Sequence, residues 1–142
     1  MRIDEQAFAR TADLIAHDLT ATLGWETGKA RAEARAVLGN RAVLLTGFLP
    51  IEPAWDDLDH RTRQGVLADL IVLAVEDLQQ RLHDTFVDTS WPPCVRHPHH
   101  PMWLEQRQGR IVWWCPGDQA EVAPLGMLPG PTDPPGGHPS AG

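Results

Sequence analysis

The chain changes character at about residue 90, and that change constrains the fold more than any other feature. Before it, apolar residues recur at steps of three and four; after it, Trp, Pro, Cys and His crowd together. The first pattern belongs to helices that bury one stripe. The second has no helical period and suits a small β module. An α+β chain is therefore expected, with about three helices over 1–89, a hairpin-based module over 90–128 and a tail over 129–142.

Within the first region, Phe8, Ala12, Ile15, Leu19 and Leu23 share one helical face, which predicts a helix from about Asp4 to Leu23. Gly24 supplies the stop, and Thr27 is placed to cap a second helix through the alanine-rich run Ala30 to Leu38. The segment Arg41 to Gly47 reads either as its continuation or as a short buried piece, and Pro50 and Pro53 end it. Asp56 and Asp57 open the clearest element, with Leu67, Leu70, Ile71, Ala74, Leu78, Leu82 and Phe86 along its stripe. Such helices are marginal alone in water, so they need each other or a partner chain. Self-association through the helical face is one expectation.

Charge narrows the partners. The chain carries −7, with 9 basic against 15 acidic residues over 1–90 and 3 against 4 over 91–142. An acidic body disfavours non-specific attraction to nucleic acid or anionic lipid. Asp4 and Glu5 and the lack of an early apolar run argue against a signal peptide. The longest apolar stretch, Val66 to Val75, contains Asp69 and falls far short of the ~20 residues that span a bilayer. A cytoplasmic location is expected, where two cysteines serve a metal more readily than a disulfide.

The chemistry concentrates in residues 91–118. Cys94 and His97 are spaced C-x2-H, so one tight turn can direct both donors at one ion, and Cys115 follows after seventeen residues. Thiolate and imidazole together suit zinc, which takes four tetrahedral N or S ligands. Between them, Met102 to Arg107 and Arg110 to Trp114 flank Gln108-Gly109, a hairpin signal that returns the second loop to the first. A third strand is expected at Ala120 to Ala123. The order is that of a zinc ribbon.

The fourth ligand is open among His100, Asp118 and His99. Two thiolates with two neutral imidazoles cancel the charge of Zn2+, which puts His100 first and Asp118 second. Three protein ligands and an open position would instead make a catalytic site, with Glu105 or Asp118 as base. Four of the six tryptophans (Trp91, Trp103, Trp113 and Trp114) lie here. Most are expected in the core that a small module needs. Trp113 and Trp114 should point to opposite faces of a strand, leaving an outward ring as a contact surface.

The run W-P-P-C-x-x-H-P-x-H-P over residues 91–101, the later W-C-P and the closing Val-Ala-Pro-Leu-Gly resemble the C-terminal parts of small uncharacterised actinobacterial and phage-associated proteins. The resemblance covers 91–128 and implies a ribbon-like metal site without a known activity. No catalytic signature stands out, so the first expectation is a non-enzymatic interaction or adaptor protein with structural zinc and a protein partner. A nucleic-acid-binding regulator using a Trp/Arg face ranks second, and a small metal-dependent hydrolase third. The tail from Pro129 is almost all Pro, Gly, Ser and Thr, a composition that predicts disorder.

Overall fold

A computed structural model describes residues 5–48, 58–85, 90–94, 96, 97 and 99–130. Three helices come first: α1 (Glu5–Leu23), α2 (Thr27–Phe48) and α3 (His60–Asp84). A three-stranded antiparallel sheet follows in the order β1 (Trp103–Arg107), β2 (Arg110–Cys115) and β3 (Ala120–Pro124). The fold is the expected α+β arrangement. Most of the tail, residues 131–142, lies outside the described residues, as do Asp56, Asp57 and Phe86.

α1 ends where expected, with the Gly24 N–H donating to the Thr20 carbonyl at 3.0 Å. α2 opens one residue earlier than the Thr27 cap implies, because the Glu26 carbonyl already accepts from Ala30 N–H at 3.0 Å. The ambiguous segment from Arg41 continues this helix to Phe48. α3 is capped by Asp59, whose carboxylate accepts from Thr62 N–H at 2.7 Å. Among the described residues, no helix is long and apolar enough to cross a membrane.

The helices pack in sequence, α1 on α2 and α2 on α3, and α3 reaches β1. The stripes meet at Ile15 and Leu19 of α1, Ala34 and Leu38 of α2, and Leu70, Ala74 and Leu78 of α3, all fully buried. Alanine on α2 lets the helices approach closely, and each large apolar side chain buried contributes about 1.5–3 kcal/mol. Arg31–Asp13 and Arg81–Glu33 cross between helices at 2.9 and 3.4 Å, but such exposed pairs add little.

β1 and β2 form the expected two-residue hairpin, with Arg107 opposite Arg110. Gln108 and Gly109 both take positive φ, 52° and 76°, the mirror-image turn whose twist matches paired strands. Leu104 and Trp113 are cross-strand partners on the face turned to the helices. Trp103 and Trp114 are partners on the other face, where Trp103 is 45% exposed and the Arg107 guanidinium lies 4.1 Å over the Trp114 ring. The adjacent tryptophans thus point opposite ways, and a bulge between Trp113 and Trp114 shifts the register with β3.

One buried cluster runs from the helices into the sheet, taking in Trp91, Cys94, Met102, Trp113, Cys115, Leu125 and Leu128. Trp91 and Trp113 meet edge to face, 5.6 Å apart. Their indole N–H groups both donate to α1, Trp91 to Thr22 Oγ1 and Trp113 to Asp18 Oδ2, each at 2.7 Å. Asp18 is itself fully buried and also accepts from the Gly126 and Leu128 N–H groups at 2.7 and 3.0 Å. It pins the segment after β3 to α1.

Candidate metal centre

Two loops at one end of the sheet carry the donor side chains. The first leaves Trp91 and returns at Met102, which donates its N–H to the Pro92 carbonyl at 2.9 Å. Pro93 and Pro101 bridge the stem, and Cys94 N–H donates to the His100 carbonyl at 3.1 Å. Inside the tip, two turns follow one another: His97 N–H donates to the Cys94 carbonyl, and His100 N–H to that of His97. Proline suits this stem because it cannot join a longer ladder and it holds the chain extended. Gln79 of α3 clamps the base, donating through Nε2 to the carbonyls of both Trp91 and Met102 at 3.1 and 2.7 Å.

The second loop joins β2 to β3 and begins at Cys115, whose sulfur accepts the Asp118 N–H at 3.4 Å. The two loops touch through His97. Its ring lies so near Gly117 that a Cβ there would stand 3.2 Å from Cδ2 and 3.3 Å from Nε2. Asp118 then binds the first loop twice, through Oδ1 to His97 Nε2 at 3.0 Å and through Oδ2 to Arg96 Nε at 3.1 Å. The His97 hydrogen bond, followed by the Arg96 charge, holds the Asp118 carboxyl below the ordinary aspartate range.

His97, Cys115 and Asp118 form a group that could hold a metal ion, since one donor atom from each lies within 4.8 Å of the other two. Ligands around tetrahedral zinc stand roughly 3.3–3.8 Å apart by their bond lengths, so small side-chain movements would close such a group. Cys115 is buried, whereas the His97 and Asp118 side chains are 37% and 31% exposed. The centre therefore has a dry side and a wet side.

Of the ligands expected from sequence, His97 and Cys115 are brought together with Asp118, the residue ranked behind His100. Cys94 and His100 stand outside that group. Cys94 is buried in the common core, and neither cysteine is in a disulfide. The exposed His100 ring is 6.4 Å from that of His97, centroid to centroid, and His99 is also exposed. Sequence reasoning missed Arg96 as the second partner of Asp118. Its signal was weak, an arginine one residue before a candidate ligand. No family model, curated protein or solved structure matches the chain.

Proposed function

We propose that this protein is a non-enzymatic interaction protein whose C-terminal sheet is braced by one structural zinc ion. The observation that carries the reading is the convergence of His97, Cys115 and Asp118 from two separate loops. An ion shared by those loops would tie the Cys94 loop to the end of the β2–β3 hairpin. Nitrogen, sulfur and carboxylate oxygen in one small set suit zinc. Cys94, which stands outside that group, would turn towards it to serve as the fourth donor in this reading, three residues before His97 across a single turn.

Charge permits Asp118 as well as His100 in this set. Two thiolates, one carboxylate and a neutral imidazole exceed the charge of Zn2+ by one negative unit, and Arg96 on Asp118 Oδ2 offsets it. The 3.0 Å contact between His97 and Asp118 also favours a second arrangement, in which Asp118 orients the ring and His100 binds the ion.

For the partner, the outer face of the sheet is the supporting feature. Trp103 and Trp114 sit side by side there, as aromatic residues do at protein interfaces. On the same face Arg110 is bound by Glu121 at 2.9 Å, and Trp103 Nε1 donates to Glu105 at 2.8 Å. The two arginines at positions 107 and 110 are thus matched by two glutamates. A neutral aromatic face fits a protein better than a phosphate backbone.

The test is metal content by mass spectrometry on the intact chain purified under reducing conditions without chelator. The expected result is one zinc per chain, lost in Cys94→Ser and Cys115→Ser. Cobalt substitution of Asp118→Ala and His100→Ala then separates the two arrangements, since only loss of a ligand changes the tetrahedral spectrum strongly. A metal-free wild-type chain would sink the proposal. Turnover of any ester or peptide that dies with chelation would overturn the non-enzymatic reading.

A further inference from the structure

Away from the Cys/His loops, α1 and the start of α3 leave an open groove of about 630 Å3 between them. That volume lies within the usual range for small-molecule sites, about 300–1,000 Å3. One wall is apolar, made by Ala7 and Leu14 of α1 and Leu67 of α3. The polar lining is mostly of one kind. Arg10, His60 and Gln64 all offer N–H donors.

This lining reverses the sign of the rest of the molecule. The chain carries −7, yet the groove's one carboxylate, Asp13, is already engaged by Arg31 Nε at 2.9 Å. Arg10 meets no carboxylate among the described residues. The first turn of α3 carries His60, Arg61 and Arg63 and no acidic residue, and the Asp59 carboxylate that caps it is already engaged by the Thr62 N–H. Cationic donors beside an apolar wall define the chemistry of an occupant, an anionic head on an apolar body.

We infer that this groove binds a small organic carboxylate, its head between Arg10 and His60 and its alkyl or aromatic body against Leu14 and Leu67. The planar guanidinium of Arg10 matches a carboxylate in two-point geometry, and Gln64 adds a further donor. The site is independent of the metal centre, and its test does not depend on zinc.

Sodium octanoate is the probe, titrated into the intact 15N-labelled chain and followed by NMR and calorimetry, with 1-octanol and inorganic phosphate as separate arms. The expected result is saturable one-to-one binding of octanoate, with shifts centred on Arg10, Leu14 and Leu67. Octanol and phosphate should each bind about tenfold more weakly or worse, as expected when a charge-assisted hydrogen bond or the apolar contact is missing. Arg10→Gln alters an exposed residue and should weaken octanoate about tenfold with the thermal midpoint unchanged. Octanol binding as well as octanoate would overturn the role of the charge, and phosphate binding as well would overturn the role of the apolar wall. Non-saturating binding, shifts elsewhere or an unaffected Arg10→Gln variant would overturn the site itself.

Discussion

Asp18 and Asp118 are both held by several donors, in opposite surroundings. Asp18 is shut inside the protein and takes hydrogen bonds from Trp113, Gly126, Leu128 and the half-exposed His17. Asp118 lies at the surface, with His97 and Arg96 beside it and a buried thiol within reach. A carboxylate whose lone pairs are filled by backbone and indole N–H groups is committed to holding the fold. One that faces an imidazole and a sulfur at a wet edge keeps the freedom to exchange partners. Burial and the kind of donor, more than the number of bonds, separate a structural acid from a chemical one.

The sharpest way to break that comparison is to remove the structural acid. Asp18→Ala leaves three buried donors without an acceptor at about 1–3 kcal/mol each, so chemical denaturation should report a loss of at least about 3 kcal/mol. Asp18→Asn keeps the shape and one acceptor oxygen and should lose less. A change within about 0.5 kcal/mol for Asp18→Ala, the usual range for surface substitutions, would mean that Asp18 does not pin the sheet to α1.

A smaller effect is expected one contact away, where Asp18 holds Gly126. This residue has φ of +90°, and a Cβ on it would fall 2.4 Å from Leu14 Cδ2. Gly126→Ala should cost about 1–3 kcal/mol through backbone strain and that overlap. Leu14 is 42% exposed and can move, so adding Leu14→Ala should restore only the part due to overlap. Full recovery in the double variant would show that the backbone is not strained there.

The least change in stability is expected at Asp118, where pH is the informative variable. Its folded carboxyl titrates below the ordinary aspartate range, so its contribution is present above that range and is lost as pH falls through the lowered value. In metal-free protein, carboxyl-carbon NMR should show the Asp118 midpoint rising towards the ordinary range in Arg96→Gln and further in His97→Gln. No movement in either variant would remove the basis for treating Arg96, His97 and Asp118 as one unit.

Much of the fold was legible because local chemistry and global structure agree. Gln108-Gly109 between alternating segments gave the hairpin, and the three-and-four spacing gave the buried faces of α1 and α3. Arg41 to Phe48 stayed ambiguous because a run with apolar residues on all sides has no face to read. Asp18 was overlooked, although it lies three residues after Ile15 and beside Leu19, on the very stripe that marks the core. The candidate centre was legible in its residue types and in the named donors His97, Cys115 and Asp118, but not in which of the candidates stand together. Which donors meet depends on how two loops fold against each other, and spacing along the chain carries no record of that.

The Gln79 clamp has a consequence for how this end of the molecule responds to its surroundings. The base of the Cys94 loop is held by a neutral amide and two carbonyls, none of which titrates or is screened by salt. The tip is held by the Asp118 carboxylate, whose charge acid removes and whose ion pair with Arg96 salt screens. Protonation of Asp118 or high ionic strength would therefore weaken the contact between the tip and the β2–β3 loop and leave the Gln79 clamp untouched. The loop would then part from the β2–β3 turn at its tip while its footing on α3 stays in place.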